Sequence, residues 1–352
     1  MKNPSPEFWK GKHVLLTGHT GFKGAWLSLV LNHLGAKVTG ISLPPNSNPN
    51  LFTLAKISGI TNTHFVDIRG ADKLSKIINE TNPEIIFHLA AQALVRPSYL
   101  DPLQTFSTNI MGTAHVLDSL RRIESIKVAV MVTTDKVYQN LEQIKPYQEN
   151  DHLGGHDPYS ASKAASELII SSYRDSFLLQ HDISIASARA GNVIGGGDWS
   201  EDRLIPDAIR AWNLNRPLVI RKPKAIRPWQ HVLEPLTGYL ILAESLYKDN
   251  SLIGAYNFGS ENTDTASVEQ VVRLAQSLYP GSEVVIKNSD TDPHEAGLLL
   301  LDNSKTKTML GVLPRWNLLT AVNYTMKWYQ AFSKGDNARN LCENDIDRFL
   351  HS

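Results

Sequence analysis

The chain has 352 residues, of which 42% are hydrophobic and 20% charged, enough to bury a sizeable core and against wholesale disorder. At roughly 150 residues per domain this suggests about two domains. Thirty-five basic and 35 acidic side chains balance to zero, which argues against a nucleic-acid binder that works by phosphate neutralisation. No apolar run reaches the roughly 18 residues of a membrane span, and the stretch Met1 to Lys12 lacks the apolar segment of a signal peptide. The lone Cys342 permits neither an internal disulfide nor a cysteine-rich metal site. A soluble cytoplasmic protein is expected.

In chain order, His13 to Thr17 reads as a buried strand. Phe22 to Leu34 reads as a helix, with Trp26, Leu27, Val30, Leu31 and Leu34 on a sheet-facing side and Gly35 as its stop. Lys37 to Leu43 is a second strand, broken by Pro44 and Pro45. Apolar runs at Thr63–Val66, Ile85–Leu89, Val128–Thr133 and Ile183–Ala188 each follow a helical stretch. This βαβα rhythm predicts a Rossmann-type, doubly wound parallel sheet covered by helices on both faces. After Arg189 the rhythm weakens. Pro206, Pro217, Pro223 and Pro228 punctuate a region expected to hold interleaved substrate-binding segments. The division expected is a cofactor-binding domain of 1–190 plus roughly 229–262, and a smaller substrate-binding domain of 191–228 plus 263–352. Leu318 to Phe332 reads as a last amphipathic helix, and the polar tail after Gly335 is expected to be poorly ordered.

Gly18, Gly21 and Gly24 recur at every third position between the first strand and the first helix, with Phe22 and Lys23 between the last two. Glycines there let the backbone turn tightly and approach a pyrophosphate, which then meets the free N–H groups of a helix N-terminus. The spacing is GxxGxxG, and no Gly-Lys-Ser/Thr follows, so a P-loop is excluded. The end of the second strand reads Ile41-Ser42-Leu43, with neither an acid for a ribose hydroxyl nor an arginine for a 2′-phosphate. That position does not decide between NAD and NADP. Asp67 and Ile68, after the third strand, are placed for an adenine contact.

Tyr159 and Lys163, four residues apart, share one face of a helix. A free phenol titrates near 10, and a neighbouring ammonium with a cationic nicotinamide would favour the phenolate. Thr133-Thr134-Asp135 closes the fifth apolar run. The twelve histidines form no HExxH or other close set, so no metal is expected.

With these motifs in this order, the sequence resembles the extended short-chain dehydrogenase/reductase family over nearly its whole length. The run His88-Leu89-Ala90-Ala91 is similar to the family's cofactor loop, Asn109 to Thr113 to its NxxGT helix, and Arg189 to Asn192 to the segment that meets nicotinamide and substrate. The resemblance implies NAD held by Gly18, Gly21, Phe22, Lys23, Gly24, Asp67, Ile68, Leu89, Ala90, Ala91, Asn109, Tyr159 and Lys163.

Within that family, 4-epimerases generally lack an acid pair after the strand-end Ser or Thr, whereas sugar-nucleotide 4,6-dehydratases read Thr-Asp-Glu. Here Thr134 and Asp135 are kept and Lys136 replaces the glutamate. The Asp-Lys variant, with Gly191 to Trp199, Arg227 to His231 and Leu43 to Phe52, resembles members that act on CDP-glucose. The resemblance implies that Tyr159, oriented by Thr134, takes the C4 hydroxyl proton, that Asp135 protonates the departing C6 oxygen, and that Lys136 serves C5. Lys136 would do so either as a neutral base, against its ordinary pKa near 10.4, or as a cation stabilising the enolate. Asn192, Arg203, Leu204, Arg227 and Glu295 are the implied substrate contacts, with Arg227 suited to a diphosphate. Relatives dimerise through two helices per subunit, here near Pro102–Arg122 and Tyr159–Gln180. A role in dideoxyhexose supply for surface polysaccharide is implied as well.

Overall fold

A computed structural model describes residues 2–261, 264–287 and 297–352. Its centre is a seven-stranded sheet built from β1 (His13–Thr17), β2 (Lys37–Ser42), β3 (Thr61–Phe65), β4 (Ile85–His88), β5 (Val128–Val132), β6 (Ser184–Ala190) and the strand Gly254–Phe258. The spatial order is β3, β2, β1, β4, β5, β6 and then Gly254–Phe258, with every neighbouring pair parallel. Strands buried on both faces explain the unbroken apolar runs. Val14, Leu16, Phe87 and Val130 point to one core, against the helices Phe22–His33 and Leu233–Lys248. Leu15, Ile86, Ala129 and Met131 alternate to the other, against Ala71–Thr81, Gly112–Leu120 and Pro158–Tyr173. The order reverses between β1 and β4, and a crevice forms outside the carboxyl ends of the strands there.

The expected strands and the Leu318–Ser333 helix lie within a few residues of their expected bounds. Beyond β6 the chain leaves the sheet through the helix Leu204–Asn213, returns through Leu233–Lys248 to Gly254–Phe258, which pairs with β6, and leaves it again; short pairings join Val193–Ile194 to Gln230–His231, Ile226–Arg227 to Ala266–Ser267 and Leu218–Ile220 to Val284–Ile286. The tail differs from expectation. Residues Ala338–Leu350 form a helix capped by the Asn337 side chain, which accepts from the Arg339 and Asn340 backbone N–H groups. Cys342, Ile346 and Phe349 fall on one face and are fully buried. The polar composition of the tail belongs to the opposite face.

Candidate functional site

The glycine turn is locked by close approach. Gly18 has a φ of +80°, and a Cβ there would lie 2.7 Å from the Ala90 backbone nitrogen. A Cβ on Gly24 would lie 2.1 Å from the Gly18 carbonyl oxygen. The Thr17 hydroxyl accepts from the N–H groups of Leu89 and Ala90, both at 3.2 Å, and pairs with His88 Nδ1 at 2.7 Å. Burial lowers His88 to about 3, so it is a neutral strut between β1 and the Thr113 hydroxyl at 3.1 Å. The helix after the turn starts at Phe22 with no side-chain cap, and Gly21, Phe22 and Lys23 border the cleft. Its unpaired N–H groups thus face a space that an anion could fill.

At the far end of this wall the Ser42 and Thr20 hydroxyls lie 2.7 Å apart. Asp67 is engaged by Arg69 through Nη2 at 2.6 Å, and that bond holds the carboxyl below its usual range. Ile68, Leu89, Ala90 and Ala91 complete the wall. Asn109 is absent from it. Its amide is spent on the Gln92 backbone, at 2.8 and 3.0 Å, and on the Ser162 hydroxyl at 2.8 Å. The cleft meets Gln92 in its place, so Asn109 bears on the cavity only through that loop.

Across the cleft, Pro158–Tyr173 begins at a firm cap, where Asp157 accepts from the Ser160 N–H at 2.9 Å and the Ser160 hydroxyl at 2.6 Å. This fixes Tyr159 one turn before Lys163, with both bordering the cleft. Burial pushes Tyr159 up to about 12, opposed by a hydrogen bond with Thr134 and by the Arg203 charge. Burial lowers Lys163 to about 8, and its Nζ donates to the Val132 carbonyl at 3.3 Å. The expectation was that the neighbouring ammonium and a cationic nicotinamide together favour the phenolate. In the protein alone desolvation is the larger effect on Tyr159, and more positive charge in the cleft is required to overturn it.

Thr134 is the second residue after β5, and its Oγ1 donates to Asp135 Oδ1 at 3.0 Å. Asp135 is 1% exposed, and its Oδ2 has no hydrogen-bond partner. Lys136 Nζ lies 3.5 Å from Asp135 Oδ1 and keeps partial contact with solvent. Lys23 belongs to the same charged group. Burial lowers it to about 7, with Arg203 adding to the effect and Asp135 opposing it.

Asn192, Arg203, Leu204 and Arg227 all border the cleft. Arg203 pairs with Asp198 at 3.2 Å. Arg227 lies in the short strand Ile226–Arg227 and is buried. Glu295 falls outside the described residues. Arg189 turns away from the cleft into a buried pair with Glu167 at 2.9 Å. Trp199 borders the cleft and packs against Tyr329 and Phe332. Sequence reasoning missed Arg96 and Asp202, an ion pair at 3.5 Å on the cleft wall, because no local spacing links them. The whole cleft holds about 1060 Å³, room for two extended ligands end to end.

A glycine turn at a sheet switch point, facing a Tyr-Lys helix across the carboxyl ends of β4 and β5, is the architecture of an extended short-chain dehydrogenase/reductase. The sequence profile described as GDP-mannose 4,6 dehydratase matches residues 15–325, and the chain belongs to that family. It is 44% identical over 349 residues, 97% of each chain, to a CDP-glucose 4,6-dehydratase of Salmonella typhimurium. It is 26% identical to a dTDP-glucose 4,6-dehydratase of Haemophilus influenzae, covering 90% of this chain and 97% of that one. Among solved structures, a UDP-glucose-4-epimerase from Stenotrophomonas maltophila with bound NAD and formylated UDP-arabinopyranose superposes with a TM-score of 0.80 at 21% identity, covering 92% of this chain and 100% of that one.

Proposed function

We propose that this protein is an NAD-dependent CDP-glucose 4,6-dehydratase, converting CDP-glucose to CDP-4-dehydro-6-deoxyglucose and water. The observation that carries the reading is the meeting of Thr134, Asp135 and Lys136 with Tyr159 in one cleft, in a chain 44% identical to a relative of that name. The division into a cofactor part, 1–190 with 229–262, and a substrate part, 191–228 with 263–352, belongs to the same proposal. So do the roles given to individual residues.

The residues fit the cofactor. The close approach of Gly18 to Ala90 and the open helix N-terminus at Gly21 suit a pyrophosphate, and Ser42, Asp67 and Ile68 border the space for an adenosine. When bound, NAD supplies a two-electron acceptor for the C4 hydrogen and a donor of that hydrogen to C6.

A hydroxyl at C6 of an unactivated hexose does not leave readily, but a ketone at C4 acidifies the C5 proton and permits elimination across C5–C6. Tyr159 takes the C4 hydroxyl proton, aligned by Thr134. The Arg203 guanidinium favours the phenolate, and the positive nicotinamide of a bound cofactor adds to it. Asp135 Oδ2, free of other partners, carries the proton to the C6 oxygen. Lys136 acts at C5, as base or as a cation beside the enolate. Arg203 and Arg227 are assigned to the diphosphate end, with Asn192 and Leu204 on the sugar side.

We also propose a cytoplasmic homodimer that supplies deoxyhexoses for surface polysaccharide. Leu103 and Leu168 are largely exposed, and Met111 about half, on the two segments expected to pair. Incubation with CDP-glucose and NAD, followed by alkali, should develop the ultraviolet absorbance of a 4-keto sugar. The dTDP-, UDP- and GDP-sugars should give much less. No chromophore from CDP-glucose would overturn the reading.

A further inference from the structure

Tyr159, Lys163 and Glu167 recur at every fourth position of one helix, so all three lie on the face turned toward β5. The first two border the cleft, whereas Glu167 lies beneath it and is buried. Its Oε1 accepts from the Thr133 hydroxyl at 2.5 Å. Its Oε2 accepts from the Ser187 hydroxyl at 2.7 Å and from Arg189 Nη2 at 2.9 Å. Arg189 Nη1 goes on to the Tyr138 hydroxyl and to the Glu149 carbonyl, each at 2.9 Å. One carboxylate thus gathers the carboxyl end of β5, strand β6 and the helix of the Tyr-Lys pair. Charge-assisted bonds of this kind, fully withdrawn from water, are the stronger and more directional ones.

We propose that Glu167 is a positioning residue of the active site. Through Thr133 it sets the spacing between the strand end that carries Thr134 and Asp135 and the helix that carries Tyr159 and Lys163. Thr133 is the hinge point of this arrangement. Its N–H is bonded to the Ala188 carbonyl at 2.9 Å, its hydroxyl is bonded to Glu167, and the next two residues hold the proton donor and the group that aligns Tyr159. With the hydroxyl gone, the strand end keeps its bond to β6 and meets the helix through Lys163 Nζ on the Val132 carbonyl, at 3.3 Å, and through the hydrogen bond of Thr134 with Tyr159; the tie lost is the one independent of the catalytic pair itself. The negative charge also lies one turn from the Lys163 ammonium and favours its charged form. A displacement of about 1 Å between acid and base is enough to cost a large part of the rate.

The inference rests on the dehydratase reading, and two independent measurements keep the two apart. Thr133→Val replaces the hydroxyl by a methyl of similar size and so removes the donor to Glu167. It should lower kcat with CDP-glucose and NAD about ten-fold or more, leave KM within about two-fold, and lower the melting temperature by no more than about 4 °C. Thr133→Ser restores an oxygen and should return kcat to within about two-fold of the parent. Crystal structures of the parent and of Thr133→Val should show the Thr134 Oγ1 to Tyr159 hydroxyl separation lengthened in the variant, whatever the substrate. Glu167→Gln should lower kcat further while still binding NAD in a fluorescence titration. Wild-type kcat in Thr133→Val, failure of Thr133→Ser to restore it, or an unchanged separation would overturn the positioning role. A parent inactive on CDP-glucose but showing the lengthened separation in its variant would overturn the dehydratase reading and leave the positioning role standing.

Discussion

Replacing Asp135 by asparagine isolates the proton donor from the rest of the machinery. The two side chains have the same shape. Asparagine can turn its oxygen to the Thr134 hydroxyl, which now bonds Oδ1 at 3.0 Å, and place its amide nitrogen where Oδ2 has no partner. The long bond from Lys136, at 3.5 Å, also ends on Oδ1 and keeps an oxygen acceptor there, losing only the opposite charge. The fold should therefore survive and the loss should fall on chemistry. A positioned general acid contributes roughly 10²- to 10⁴-fold, or about 3–5 kcal/mol of barrier. Steady-state formation of the 4-keto-6-deoxy sugar should drop by that factor. C4 oxidation, which needs Tyr159 and Thr134 but not Asp135, should continue. In a stopped-flow experiment the near-ultraviolet absorbance of reduced nicotinamide should therefore rise and persist instead of decaying. Dehydration at the parent rate would refute the argument, and so would loss of the absorbance rise with intact NAD binding.

Other outcomes follow from particular contacts. Tyr159→Phe should abolish both the absorbance rise and the product, because the phenol is the group assigned to take the C4 hydroxyl proton. Lys136→Met should stop solvent hydrogen exchange at C5 if the lysine is the sole base; exchange that continues would exclude that role. Burial raises Glu234 and Asp345 to about 7 each, so the folded state holds protons that the unfolded chain releases near its ordinary carboxyl range. Their stabilising effect is present at low pH and fades as pH rises through about 7, worth on the order of 3 kcal/mol for Glu234. Glu234→Gln should accordingly flatten the fall in melting temperature between pH 5.5 and 8. Ile346→Ala, in the fully buried face of the last helix, should cost about 2–5 kcal/mol in denaturant unfolding.

The parallel sheet was legible because both-face burial writes itself as continuous apolar runs, and the glycine turn because a Cβ at Gly18 would lie 2.7 Å from the backbone of the next loop, which leaves glycine as the residue that fits. The final helix was missed because its stripe of Cys342, Ile346 and Phe349 is narrow and set among charged residues. The Tyr-Lys pair was visible from spacing alone, but its electrostatics were not. Spacing says nothing of desolvation, which dominates at Tyr159. Asn109 shows the limit of carrying a role over by motif, since its bonds are spent within the protein before any ligand arrives. Arg96, on the helix Val95–Leu100, and Asp202, in a turn, were invisible for a different reason: a pair so far apart in the chain leaves no periodic trace.

The loop Gly195–Trp199 is held from behind by the end of the chain. A Cβ on Gly196 would sit 2.0 Å from the Trp328 ring, the Trp26 indole donates to the Gly196 carbonyl at 3.0 Å, and the Tyr329 hydroxyl donates to the Asp198 carbonyl at 2.6 Å. The cleft wall at Asp198 and Arg203 therefore leans on a helix more than a hundred residues further along the chain, so a chain cut before Leu318 should keep the glycine turn and lose the order of that wall.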